Sequence, residues 1–220
     1  MPATTVVFDM DGVLLDSGQV WNEVIQELFR TCSRPWSTFD QQAFAGGDNS
    51  RQWASYLRRV YDLPMSDDEI IGWVTRRLLD RFQAELPLLP GAEAAVARMG
   101  AHFKLGLASS SPREVIAYVL RVSGLEPHFA AWVSSDVVAC GKPAPDVYLH
   151  VCQLLGSLPA ESVAVEDSPM GVTSATAAGL RVIAIPHPWF PLIGAALTKA
   201  DLVLLSLDKL RPEAVARMFP

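Results

Sequence analysis

Cysteine is scarce in this chain: Cys32, Cys140 and Cys152 are the only three in 220 residues, and no two are close enough to form a CxxC pair. An odd, widely spaced set argues against a disulfide framework or a thiolate zinc site and suits a reducing compartment. Lysine is nearly as rare, with four residues, Lys104, Lys142, Lys199 and Lys209. Eighteen basic residues face 24 acidic ones, a net charge of -6 with an isoelectric point near 5.2. There is no basic footprint for nucleic acid. Long apolar runs are missing too, since none reaches the roughly 18 to 20 residues of a membrane-spanning helix. Met1 to Thr5 leads directly into Val6-Val7-Phe8, without the basic flank and length of a signal peptide. The expectation is a cytoplasmic protein, monomer or weak dimer, with neither nucleic acid nor membrane as a partner.

What is present is ample apolar material: half the residues are hydrophobic, enough for one domain or one domain with an insert. Thr4 to Phe8 reads as a short buried strand ending at the turn Asp9-Met10-Asp11-Gly12. From Ser17 to Glu85 apolar residues recur at helical spacing, as in Trp21, Val24, Ile25, Leu28 and Phe29. This stretch predicts an all-helical insert of about four helices. The stiff connector Leu86-Pro87-Leu88-Leu89-Pro90-Gly91 ends it.

Beyond the connector, strands are predicted at Phe103–Ala108, Ala131–Ser134, Ser162–Val165, Arg181–Ile185 and Leu202–Leu205. Helices fall between them at Pro112–Val122, Asp146–Leu155 and Met170–Ala178. Unbroken apolar strands alternating with helices imply an α/β fold: a Rossmann-like parallel sheet core carrying an inserted helical cap. The expected division is 1–16 core, 17–87 cap and 88–220 core.

Ligands of such sheets sit beyond the carboxyl ends of the strands. There the chain places Asp9 and Asp11, then Ser109, then Ser135 and Asp136, then Glu166 and Asp167, and finally His187. Several acids converging on one crevice require a cation among them or a proton on one of them. Asp9 and Asp11 are two residues apart, roughly 6.6 Å in extended chain and on one side of it. One carboxylate could attack phosphorus while the other protonates the leaving oxygen, with Gly12 giving the phosphate close access to backbone N–H groups. On Asp-Gly alone, an Asx-type turn after a strand is the commoner explanation of the pattern.

Glu166-Asp167 offers hard oxygen ligands that suit Mg²⁺. The same segment also reads as a helix start, with Ser168 as N-cap and Pro169 as first helical residue. In Ser109-Ser110-Ser111-Pro112-Arg113-Glu114, Ser111 and Glu114 have capping-box spacing, which assigns Ser111 a structural role. Ser109 and Ser110 remain free to meet a phosphoryl oxygen. Lys142, in Gly141-Lys142-Pro143, is either a solvated surface lysine or a cation among the carboxylates.

In this order and spacing the chain resembles the haloacid dehalogenase-like hydrolases, whose four motifs match Asp9-Met10-Asp11-Gly12, Ser109, Lys142 and Glu166-Asp167. It looks like the branch with a helical cap that holds beta-phosphoglucomutase, phosphoglycolate phosphatase and the sugar or polyol phosphatases. The resemblance implies a Mg²⁺-dependent phosphomonoester hydrolase with a small phosphate ester as partner. Asp9 is then the nucleophile forming an aspartyl-phosphate, and Asp11 the acid and then the base. The ion would be held by Asp9, the Asp11 main-chain carbonyl and Asp167, with Glu166 a ligand or its neighbour. Ser109 and Lys142 would stabilise the phosphoryl group.

Within the family, Asp11 favours phosphoryl transfer over dehalogenation, and an insert without lysine removes the Schiff base of a phosphonatase. A mutase would carry a histidine where this chain has Trp21, an arginine where it has Asn49, and a cap lysine; Arg51 could replace part of that clamp. Gly46, Asn49, Arg51 and Trp21, with Trp53 and Trp73 beside them, are the expected cap residues around a hydroxylated substrate. The competing readings are a beta-phosphoglucomutase type of transfer and a non-catalytic binding protein on the same fold.

Overall fold

The computed structural model describes residues 3–37, 48–187 and 198–219. Among them, β1 (Thr5–Phe8), β2 (Lys104–Ser109), β3 (Ala131–Ser134), β4 (Ser162–Glu166), β5 (Arg181–Ala184) and β6 (Leu202–Val203) form one sheet. Its order is β3-β2-β1-β4-β5-β6, and every pairing is parallel. This is the doubly wound arrangement, whose order reverses at β1, so the crevice opens between β1 and β4.

Alternation along each strand feeds two cores. Val6, Phe8, Leu105, Leu107, Val163 and Val165 lie on the face covered by α4 (Ala92–Gly100) and α5 (Arg113–Val122). Val7, Ala108, Ala164, Val182 and Ala184 face α6 (Asp146–Leu155) and α7 (Pro169–Ala177). Both faces being covered explains why the strands read as continuous apolar runs. A short α8 (Pro212–Ala216) closes the chain.

Between β1 and α4 come α1 (Gly18–Thr31), α2 (Ser50–Tyr61) and α3 (Asp67–Ala84). Each buries one stripe: Val24, Ile25, Leu28 and Phe29 in α1, Trp53, Ala54 and Leu57 in α2, Ile70, Val74, Leu78 and Phe82 in α3. Three helices are therefore described where about four were expected, and Gly46 lies outside the described residues. The chain's two crossings between sheet and insert pair with each other: Leu15 bridges Leu88 antiparallel, Asp16 N–H donates to Pro87 O and Leu89 N–H to Leu14 O.

Most predicted elements recur within a residue or two. The last strand is a correction, Leu202–Val203 instead of a run to Leu205, and Leu205 is almost fully exposed. Helix α4 was not foreseen; its alanine-rich sequence carries high helix propensity but a faint apolar period. No described helix is long and apolar enough to cross a membrane.

Candidate active site

The two strands that flank the switch point each end in acid. Asp9 follows β1 and is buried, Asp167 follows β4 and is buried, and Glu166 is the last residue of β4 with no exposure at all. One carboxylate oxygen from each lies within 4.8 Å of the others. Gly12 makes the convergence possible: at φ +80°, a Cβ there would fall 1.9 Å from Asp167 Oδ2. Any side chain at this position would therefore collide with the Asp167 carboxylate.

Lys142 is the charge at the centre. It is buried, and its ammonium donates to Asp9 Oδ1 at 2.6 Å, Glu166 Oε1 at 2.7 Å and Ala108 O at 3.1 Å. Burial alone would depress its pKa, but the two carboxylates outweigh that and hold it above the usual lysine range. Glu166 is fully engaged by protein. Its Oε1 also accepts from Tyr148 OH at 2.7 Å, and its Oε2 accepts from Asp167 N, Ser168 N and Ser168 Oγ. Ser168 caps α7 through Gly171 N at 3.0 Å with Pro169 at the first position, so this segment both caps and supplies acids.

Asp9 carries the opposite stress. Burial pushes its carboxyl up to about 8, with Glu166 and Asp11 adding to the push and Lys142 pulling back. Burial likewise raises Asp167 well above the carboxylate range. Asp167 Oδ2 is buried with no hydrogen-bond partner. An orphaned oxygen beside a second buried acid, with hard donors only, fits a small divalent cation. Because Asp9 must be ionised to hold a cation, metal and proton compete for it. Without metal, the fold favours the protonated carboxyl, and that stability is lost as pH rises through about 8. Adding Mg²⁺ should therefore raise Tm more at pH 8.5 than at pH 6, by roughly 5–10 °C at a hundredfold excess over Kd. Equal shifts at the two pH values in a thermal melt would refute competition at Asp9.

The Asp11 carboxylate sits in a cradle of donors. Oδ1 accepts from Ser17 Oγ at 2.6 Å and Trp21 Nε1 at 3.3 Å; Oδ2 accepts from Ser111 Oγ at 2.7 Å and Ser109 Oγ at 3.3 Å. Ser111 is a correction. Helix α5 begins at Arg113 with Pro112 as its N-cap and has no side-chain cap, so the expected capping box is not formed. The buried hydroxyl is spent on Asp11 instead.

The remaining expected residues divide. Ser110 Oγ lies 3.5 Å from Ser135 Oγ at the edge of the same loop. Trp21 reaches Asp11 and packs edge-on against Trp53, centroids 6.2 Å apart. Asn49 is buried, but its side chain accepts from Gln52 N in a capping box that starts α2. Arg51 points outward to Asp68 at 2.9 Å, with both side chains largely exposed. Trp73 lies under the Arg77 guanidinium, 5.4 Å from it, on α3. His187 sits 3.3 Å from Asp16, beside the paired crossings. Sequence reasoning passed over Ser17 and Tyr148 and gave Ser111 to the helix start. The two serines stand where helix starts favour serine anyway, so nothing local marks them.

A model of the haloacid dehalogenase-like hydrolases matches residues 3–179. Hexitol phosphatase B of Escherichia coli strain K12 is 34% identical over 187 residues, 83% of either chain. A phosphorylated carbohydrates phosphatase of Thermotoga maritima is 31% identical over 212 residues, 96% of this chain and 95% of that one. In the crystal structure of CbbY from Rhodobacter sphaeroides with phosphate, the fold matches at a TM-score of 0.86 with 24% identity, covering 98% of this chain and 99% of the other.

Proposed function

The chain belongs to the haloacid dehalogenase-like hydrolase family and is an enzyme of its phosphatase kind, and from that premise we propose that it hydrolyses a small sugar or polyol phosphate through an aspartyl-phosphate on Asp9. The observation that carries the reading is the buried Asp9 carboxylate, held by Lys142 at 2.6 Å beside the orphaned oxygen of Asp167. A carboxylate fixed by one ammonium hydrogen bond on Oδ1 keeps Oδ2 for attack on phosphorus. Asp9, Asp167 and the Asp11 carbonyl would hold Mg²⁺, which supplies charge neutralisation for the phosphoryl oxygens. Glu166, with both oxygens committed, serves this reading as the partner that fixes Lys142.

Asp11 protonates the leaving oxygen as the P–O bond breaks and then takes a proton from the water that releases phosphate. Ser109, Ser110 and the backbone after Gly12 would receive the phosphoryl oxygens. The division 1–16, 17–87 and 88–220 goes with this reading, and the Leu15–Leu88 bridge supports it. So do the cytoplasmic monomer or weak dimer and the lack of nucleic acid or membrane partners.

Arg51, committed to Asp68, leaves the mutase reading without the clamp it needed from that residue. A panel of sugar, polyol, nucleotide and glycolate phosphates assayed with Mg²⁺ should show free phosphate, released fastest from hexose or hexitol esters. Interconversion of glucose phosphates with little free phosphate would replace hydrolysis by mutase chemistry. Turnover of nothing on the panel would favour the binding protein.

A further inference from the structure

The Asp11 cradle is connected to the cap by a run of hydrogen bonds. Ser50, the first residue of α2, donates its N–H to Asp136 Oδ1 at 2.7 Å and its hydroxyl to Asp136 Oδ2 at 2.9 Å. Asp136 N–H donates to Ser134 Oγ at 3.1 Å, and Ser134 Oγ donates to Ser111 O at 2.8 Å. Ser111 Oγ then donates to Asp11 Oδ2 at 2.7 Å. Ser111 also fixes a second donor of the cradle, since its N–H reaches Ser109 Oγ at 3.0 Å and that hydroxyl faces the same Asp11 oxygen.

Ser50, Ser111 and Ser134 are at most 3% exposed, so water cannot readily replace these three, whereas Asp136, between Ser50 and Ser134, is exposed. The cap is pressed home beside this run. Gln52 Oε1 accepts from both Asn49 N and Gly141 N, and Gly141 approaches so closely that a Cβ would lie 2.3 Å from Asn49 N.

We propose that Ser111 is a positioning residue for Asp11, holding its carboxylate in line with the leaving oxygen and linking that orientation to cap docking through Ser134 and Asp136. The proposal rests on the acid role assigned to Asp11 above. Ser111 acts by removing rotational freedom from the group that moves the proton. A general acid contributes to the first transfer only when the leaving group needs a proton. An alkoxide needs one badly. p-Nitrophenolate, whose parent phenol ionises near neutrality, departs without it.

The test compares kcat/KM of the full-length enzyme for its best alkyl phosphate and for p-nitrophenyl phosphate, because kcat/KM reports steps up to aspartyl-phosphate formation. Ser111→Ala should lower the alkyl value about tenfold and the aryl value less than threefold. Equal losses on both esters, or no loss on either, overturn the proposal. Asp136→Asn should give the same pattern at roughly threefold, and adding it to Ser111→Ala should cost little more, as expected of a shared network. Fully additive losses overturn the link to the cap.

Asp11→Asn separates the two layers of inference. If it shows the strong alkyl preference in its loss and Ser111→Ala does not, the positioning role alone is wrong. If Asp11→Asn itself hits both esters alike, the acid assignment falls and the proposal with it.

Discussion

Asp9→Asn is expected to abolish phosphate release, lowering kcat at least about 10⁴-fold while the protein remains folded. The substitution preserves shape and retains a carbonyl oxygen for Lys142, so positioning survives and only nucleophilicity and charge are lost. An amide oxygen is far too weak a nucleophile to displace an alkoxide from phosphorus. The loss should therefore appear in kcat for every ester, good and poor leaving groups alike, unlike the pattern expected at Asp11. The same change makes a stability prediction of definite sign. Burial holds the Asp9 carboxyl near 8, so the metal-free fold prefers that group neutral, and asparagine is permanently neutral. Above pH 8, without Mg²⁺, the variant should melt no lower than the parent, and its Mg²⁺-induced rise in Tm should largely vanish. Phosphate release within tenfold of the parent would show that another group attacks phosphorus.

How much of this could be read in advance follows from which forces act locally. The parallel sheet was legible because strands covered on both faces are apolar throughout, and β1, β3 and β4 left little choice. Asp9, Asp11, Lys142, Glu166 and Asp167 stood out as strand-end acids and a lysine in a stiff turn of a lysine-poor chain. Each kept a structural alternative on its own, and only their order along the chain, matching the family's motifs, chose between the two. Ser111 was misread for a physical reason. Capping-box spacing is a local rule, whereas the hydroxyl's choice between the helix and Asp11 is made by a residue 100 positions away. Ser17 repeats the lesson: it stands at the N-cap of α1, makes no cap bond, and donates to Asp11. Arg51 shows the converse, since its placement near a glycine turn suggested the crevice while helix phase turned it outward to Asp68. Trp21 was placed near the site by pattern, but whether it meets substrate or Asp11 depends on how α1 rotates against the sheet.

Replacing Lys142 by methionine should be the most destabilising single change at the site, costing about 3–5 kcal/mol, as breaking one side of a buried ion pair does. All three ammonium donors are in use, to Asp9, Glu166 and Ala108 O, so the variant strands the Glu166 carboxylate, the Ala108 carbonyl and, wherever it is ionised, the Asp9 carboxylate in a buried site. For a chain of this size the loss corresponds to a Tm lower by roughly 6–20 °C. It should grow as pH rises, because Asp9 then ionises with no cation to face, and shrink toward acid pH, where its proton does what Lys142 did. Mg²⁺ should recover part of the loss above neutrality, since Asp9 and Asp167 remain to bind it. Activity should fall by about 10²–10³ even where Mg²⁺ restores the fold, because the ammonium also orients the nucleophile and meets charge on the phosphoryl oxygens. Lys142→Arg should not rescue: a planar guanidinium cannot direct three donors to acceptors arranged around a single ammonium. A methionine variant melting within about 2 °C of the parent at pH 8, without Mg²⁺, would mean that the carboxylates are neutralised by some other means than this lysine.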